Sequence, residues 1–290
     1  ILFTDFKTGR TFVSQLLTAT NAVVGGPLLA FQGLNSLYAY TDDDGESWSP
    51  GQIGLPQTST PPRFVTSAPY LISGADHQTT GSGPYAAGTQ PATSTYDRAV
   101  YYCSQGFITA YCSRSDDGGR TFLNPAVEVY TAQDDGCGGL HGHVRVSETD
   151  GTVYLPNKDC HGHAAIAVSE DSGSSWVIRE VPDSTSGESD PSIGIATDGT
   201  GYLCYVGLDN HPRVAVTKDK GATWDASYDI GYYANVQTAV FPQAIAGDPD
   251  RASCAFIGTS EPGNYQAGDF AGIWYAYIAT TYDEIGRAHV

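Results

Sequence analysis

The sequence is short of cations. Its 290 residues hold 14 Lys and Arg against 32 Asp and Glu, a net charge of −18. That balance excludes sequence-independent nucleic-acid binding, which needs clustered Lys/Arg to displace counterions. It also makes anionic membranes poor partners. No apolar run approaches the ~20 residues of a membrane-spanning helix, and no long stretch carries the 3.6-residue apolar period of a surface helix. No Cys-x-x-Cys or His-x-x-x-His spacing of a structural zinc site occurs. Methionine is absent altogether, so the chain opens at Ile1 without an initiator, and the lack of a leader peptide there carries no information. Wholesale disorder is excluded too, since 40% of the residues are hydrophobic and only 16% charged. What is left is a soluble, globular, acidic protein, which we expect to be monomeric. Its last six residues, 285–290, match the translation of a common sequencing adapter and are set aside as non-native, so we expect a fragment whose native sequence is 1–284 as one domain.

Six cysteines stand at 103, 112, 137, 160, 204 and 254. An even count in a chain rich in Gly, Ser, Thr and Tyr fits an oxidising, extracellular compartment, although buried free thiols are the other reading. Cys103 and Cys112 flank a short turn and face each other if the segment is a hairpin.

The chain repeats itself. Four segments follow Ser/Thr-x-Asp-x-Gly-x-Ser/Thr-aromatic: Thr41 to Trp48, Ser115 to Phe122, Ser169 to Trp176 and Thr217 to Trp224. Their starts lie 74, 54 and 48 residues apart. We call each a box. Asp43, Asp117, Asp171 and Asp219 accept backbone N–H groups, and Gly45, Gly119, Gly173 and Gly221 supply a positive φ. The hydroxyls cap the turn, and Trp48, Phe122, Trp176 and Trp224 are expected to plug gaps between sheets. A strand precedes each box, and a hairpin precedes that strand. Asp150-Gly151 and Asp198-Gly199, flanked by strand-forming runs, are strong hairpin signals. At the N-terminus, Asp5 to Phe12 looks like a box but has Lys7 where Asp should stand, so we read it as a first hairpin. Each unit is thus four strands with the box between strands three and four. Repeats of this size are β-propeller blades. Five are expected, at roughly 1–55, 76–125, 141–182, 190–228 and 240–284, and Thr281-Tyr-Asp283 opens a further box.

These boxes resemble the Asp boxes (BNR repeats) of the sialidase, or neuraminidase, superfamily. The resemblance implies an all-β propeller, here five blades of six or seven, and a glycan-directed exo-glycosidase; the alternative is a non-catalytic propeller that binds carbohydrate or protein. A catalytic sialidase is expected to have a Tyr nucleophile with Glu, an Asp acid/base, three Arg on the substrate carboxylate and an Arg-Ile-Pro signature. Arg-Ile-Pro is missing. Only Arg213, and Arg63 with it, are placed to reach a ligand, so no Arg triad carries over.

Blade topology puts the ligand site on the face opposite the boxes. Residues of loops opening there are Asp76-His77-Gln78, His141-Gly142-His143, Asn157 to His163, Glu188-Ser189-Asp190, Asp209 to Arg213, Gln237 and Glu261. Six of the seven histidines fall in them. Asp76, Glu188 and Asp190 are the candidate acid/base carboxylates. His77, Gln78, His141, His143, His161, His163, His211 and Arg213 are the candidate ligand-binding residues. These histidines either bond backbone in tight turns or contact a ligand. His141/His143 and His161/His163 place two imidazoles on one side of a strand, but the spacing is not diagnostic and no metal or cofactor is assigned. Cys137 and Cys160 fall on this face within one blade, where a disulfide would staple two loops.

Overall fold

The computed structural model describes residues 2–18, 34–50, 64–65, 76–106, 108–123 and 125–282. The protein is all-β, its five small antiparallel sheets being the blades of a β-propeller. Sheet one holds β1 (Leu2–Thr4), β2 (Thr11–Thr18), β3 (Leu34–Thr41), β4 (Ser49–Pro50) and β5 (Phe64–Val65), the last pairing β3. Sheet two is β6 (Asp76–Gly83), β7 (Ala99–Gln105), β8 (Thr109–Ser115) and β9 (Val127–Thr131). Sheet three is β10 (Cys137–His141), β11 (Arg145–Val146), β12 (Val153–Cys160), β13 (His163–Ser169) and β14 (Val177–Glu180). Sheet four is β15 (Ser192–Ile195), β16 (Gly201–Val206), β17 (Pro212–Thr217) and β18 (Tyr228–Asp229). Sheet five is β19 (Thr238–Ala246), β20 (Ala252–Thr259) and β21 (Tyr275–Thr281).

The N-terminal segment is the hairpin read from it, with Leu2 paired to Val13 and Thr4 to Thr11. Among the described residues sheet five has three strands, the last ending at Thr281 where a further box is read. One expectation needs correction. The first strand of sheet three is broken into β10 and β11, both pairing β12. The break falls at Gly142, where a Cβ would meet the Pro191 carbonyl oxygen. The further box at Thr281-Tyr-Asp283 and the segment 285–290 run outside the described residues.

Second strands carry the core. β7 and β16 are buried along their whole length. A strand covered on both faces reads as a continuous apolar run instead of an alternation. The contacts divide the chain into two compact units. One comprises 1–134, 150–153 and 169–177, and the other 135–149, 154–168 and 178–290. In the first, Phe12, Tyr38, Tyr40, Val100, Tyr102 and Phe122 form an aromatic cluster. In the second, Tyr154, Ile166, Ile193, Leu203 and Tyr205 pack together with Trp224 against them.

Each box is the turn between strands three and four, as its sequence demands. Asp219 Oδ1 accepts the Thr223 amide at 2.8 Å and its Oδ2 the Thr223 hydroxyl at 2.6 Å. Thr217 Oγ1 donates to Asp219 Oδ1 at 2.9 Å and accepts the Gly221 amide at 2.7 Å. The same bonds recur around Asp117 and Asp171, and around Asp43. Two successive left-handed residues close every turn, for example Lys220 (φ 63°) and Gly221 (φ 89°). Hydroxyl and amide donors stabilise the charged carboxylate. Ser47 and Thr41 hold Asp43 down at about 2, and Thr223 lowers Asp219.

The box aromatics divide. Phe122 meets Tyr38 edge-on at 4.9 Å, joining sheets one and two, and Trp224 packs on the cluster shared by sheets three and four. Trp48, by contrast, is 44% exposed. An unforeseen device locks sheet to sheet at this edge. The carbonyl of the first left-handed residue accepts an arginine from the preceding sheet. Arg10 bonds Gly118 at 2.7 Å, Arg114 bonds Ser172 at 2.9 Å and Arg179 bonds Lys220 at 2.7 Å.

Both expected disulfides are present. Cys103–Cys112 joins directly paired positions of β7 and β8, and Cys137–Cys160 those of β10 and β12. Such bonds fit an oxidising environment. No described helix is long and apolar enough to cross a membrane.

Candidate functional site

Antiparallel pairing puts the start of each third strand at the edge away from its box. β13 enters at His163 and leaves into the Ser169 box, and β17 enters at Pro212 and leaves into the Thr217 box. The fourth strand returns to that entry edge, since Arg213 pairs Asp229 across β17 and β18. A histidine in the loop before strand three therefore meets a carboxylate at the end of strand four. This happens twice. His161 Nδ1 lies 2.7 Å from Glu180 Oε1, and His211 Nδ1 lies 2.6 Å from Asp229 Oδ2.

The second pair is the better built. Asp229 Oδ1 accepts the Gly231 amide at 2.9 Å, which fixes the carboxylate. With Nδ1 so occupied, His211 presents Nε2 as its remaining polar atom. Next to it Arg213 binds both oxygens of Asp209 at 2.6 Å. The guanidinium holds the Asp209 carboxyl at about 2, and the carboxylate raises Arg213 in turn. Just past Asp229 the chain makes a short 3-10 turn, Tyr232–Ala234, closed by Asn235 in the left-handed region. There Tyr232 and Tyr233 stand 70% and 84% exposed, their rings edge-to-face at 5.3 Å.

The remaining candidates are placed as follows. His163 Nδ1 meets the Ser184 carbonyl at 2.8 Å, and His141 Nδ1 the Gly142 carbonyl at 2.8 Å. A carbonyl only accepts, so both rings carry their proton on Nδ1. His141 is buried and His143 half-buried. Asn157 is buried and its Oδ1 accepts the Asp159 amide at 2.7 Å. Lys158 Nζ donates to the Glu188 carbonyl at 2.8 Å, with the exposed Glu188 carboxylate 3.9 Å away. Asp190 is half-buried. In the other unit, His77 (φ 49°) sits at an irregularity in β6, and Gln78 is buried. The backbone of Asp76 belongs to β6, while its side chain, like all of Arg63, lies outside the described residues.

Two expectations fail here. The paired imidazoles do not share a side of a regular strand. His143 lies between β10 and β11, and His161 adopts a left-handed φ of 51° in the turn before β13. Among the described residues no three His, Cys, Asp or Glu side chains converge as metal ligands. Nor does Arg213 stand ready as a carboxylate clamp, since Asp209 already fills its fork. Five residues were missed altogether, the exposed Tyr232 and Tyr233 among them. Glu180 and Asp229 follow their histidines by 19 and 18 residues, each in the strand after the box, and that shared spacing was the available signal. Arg145 was not named either, and its half-buried side chain bonds the Val144 carbonyl at 3.3 Å, with burial pulling its pKa down.

No family model and no curated protein matches the chain. Solved structures do. A sialidase of Trypanosoma rangeli aligns at a TM-score of 0.53 and 14% identity over 97% of this chain and 45% of its own. The Hadza microbial sialidase Hz136 aligns at 0.50 and 15%, over 89% of this chain and 49% of its own. A Dyadobacter fermentans protein of unknown function aligns at 0.50 and 14%, over 99% and 91%. The chain thus spans about half the length of the sialidases it matches. At such identities the likeness is one of fold, and function has to come from the site.

Proposed function

We propose that this protein is a secreted, glycan-directed propeller of exo-glycosidase type, whose sugar sits at the box-opposite edge of sheet four. The observation that carries the reading is the juxtaposition of the His211–Asp229 pair with the exposed Tyr232 and Tyr233. A carbohydrate presents hydroxyls at its rim and C–H groups on its faces. An imidazole fixed by a carboxylate serves the hydroxyls, and an exposed aromatic ring serves the face. Glu188 and Asp190 are the carboxylates for acid/base work in the same unit. A neutral sugar suits the site better than an acidic one, because the net charge of −18 repels anions at long range.

One observation favours the alternative, a binding propeller without turnover. Glu188 is exposed beside Lys158, whereas a general acid is usually withdrawn from water to raise its pKa. A panel of aryl glycosides and a glycan array, run on the same preparation, separates the two. Turnover lost in Asp190→Asn supports the glycosidase, and affinity without turnover supports the binding module. Neither affinity nor turnover for any glycan defeats the glycosidase and the carbohydrate-binding module alike.

A further inference from the structure

The pair His211–Asp229 looks outward, but behind it lies a feature the glycan reading does not use. Cys204 and Cys254 are free and buried, at 1% and 4% exposure. They lie within the second strands of sheets four and five, Cys204 in β16 and Cys254 in β20. In sheet four Cys204 is flanked by its register partners Ser192 and Val214. In sheet five Cys254 is flanked by Ala244 and Ala279. One hydrogen bond ties these rows together, from the Ala244 amide to Ser192 Oγ at 3.0 Å. It joins the residue beside one cysteine to the residue beside the other, and so sets the two thiols opposite each other. The spacing is also short. A serine hydroxyl spans it to reach main chain, and nearby at Gly194 a Cβ would lie 2.8 Å from the Ala246 nitrogen. Ordinary face-to-face sheets are ~10 Å apart, too far for a disulfide, whose Cα atoms lie about 4.4–6.8 Å apart.

The structure assigns Cys204 and Cys254 as the site of a third disulfide, one that joins two blades where the other two each lie within a blade. Both thiols line one cavity of about 260 Å³, whose walls include the exposed Tyr232 and Tyr233, so a small oxidant has a route to them. A hydroperoxide supplies the chemistry. One thiolate attacks the peroxide oxygen, giving a sulfenic acid and water after proton uptake. The second thiol then displaces that oxygen as a second water. Two thiols and one hydrogen peroxide become one disulfide and two waters. Before oxidation the Cys204 thiol is held protonated, for burial pushes it well above its ordinary value and the neighbouring Cys254 adds to it.

The full chain is treated with hydrogen peroxide, alkylated with iodoacetamide and digested without reductant. The result expected is a linked Cys204–Cys254 peptide two hydrogens lighter than its parts, with Cys103–Cys112 and Cys137–Cys160 unchanged as internal references. The oxidised protein should melt roughly 5–10 °C higher than the untreated one. Cys254→Ser should lose that increment and leave Cys204 alkylated or as a sulfinic acid. Alkylation of both cysteines in the treated chain, over-oxidation of either without a link, or a bond from either to one of the other four cysteines would overturn the assignment. The outcome is independent of any glycan activity.

Discussion

The two edges of each sheet are built on different rules. At the box edge the same bonds recur: a carboxylate takes the amide and hydroxyl four residues on, and a left-handed carbonyl takes an arginine from the sheet before. The carboxylate pattern is the same in four sheets, the first hydroxyl of each box donating to its aspartate at 2.6–2.9 Å, and the arginine recurs in three. Among the described residues nothing at the opposite edge repeats so closely. Sheets three and four share a histidine–carboxylate pair, but one histidine is 63% exposed and the other 23%, and of these two sheet four alone adds a tyrosine pair. Repetition marks what each blade needs in order to pack. Departure from it marks what one blade does alone.

That contrast can be attacked at several points. The largest effect is expected at Gly119. Its φ is +83°, and a Cβ would meet Phe12 and Tyr38 at 3.0–3.2 Å. Gly119→Val should cost about 3–4 kcal/mol in urea unfolding, combining backbone strain with overpacking; a cost under ~1 kcal/mol would mean the turn is not a fixed part of the core. Next comes the arginine lock. Arg179→Met keeps the aliphatic stem but deletes the donor to the Lys220 carbonyl, for an expected loss of about 1–2 kcal/mol and a drop of several degrees in melting temperature. On the other edge, His211→Ala should weaken glycan affinity roughly tenfold, as loss of one hydrogen bond to a ligand does, while moving the melting temperature little. Titration calorimetry beside a thermal scan reads both.

The smallest effect is one of pH. Asp43 titrates at about 2 in the fold, against 3.8 as its ordinary value. Its folded pKa is depressed, so its contribution is complete above ~3.8 and disappears as the pH falls toward 2. Acid unfolding of Asp43→Asn should accordingly be shallower than that of the parent between pH 4 and 2. Identical acid profiles would show that the box hydrogen bonds do not hold this carboxylate lower in the fold than in the unfolded chain.

The box edge was legible because its chemistry is local. Asp, Gly and hydroxyl sit within eight residues, so spacing alone predicts the bonds that Asp219 and Thr223 make. Cys103 and Cys112 were legible for the same reason, lying across one hairpin. Partners from other strands were not. Arg114 directly precedes the Ser115 box, and nothing nearby in sequence shows that it reaches Ser172, 58 residues on. Glu180 and Asp229 went unseen because the loop that carries each histidine meets its carboxylate only once strand four has folded back. Alternation also misled at His161, because it assumes extended backbone and Gly162 allows a turn instead.

The most direct test sets two aspartates of the same sheet against each other. Asp219 anchors the box of sheet four and Asp229 holds His211 at its far edge. Asp219→Asn and Asp229→Asn remove one charge each, and both variants are read for melting temperature and for affinity toward the best glycan from the array. Asp219→Asn is expected to lower the melting temperature by several degrees and keep its affinity, and Asp229→Asn to do the reverse. Loss of affinity in Asp219→Asn with a normal melt, or full affinity in Asp229→Asn, would contradict the division of labour between the two edges.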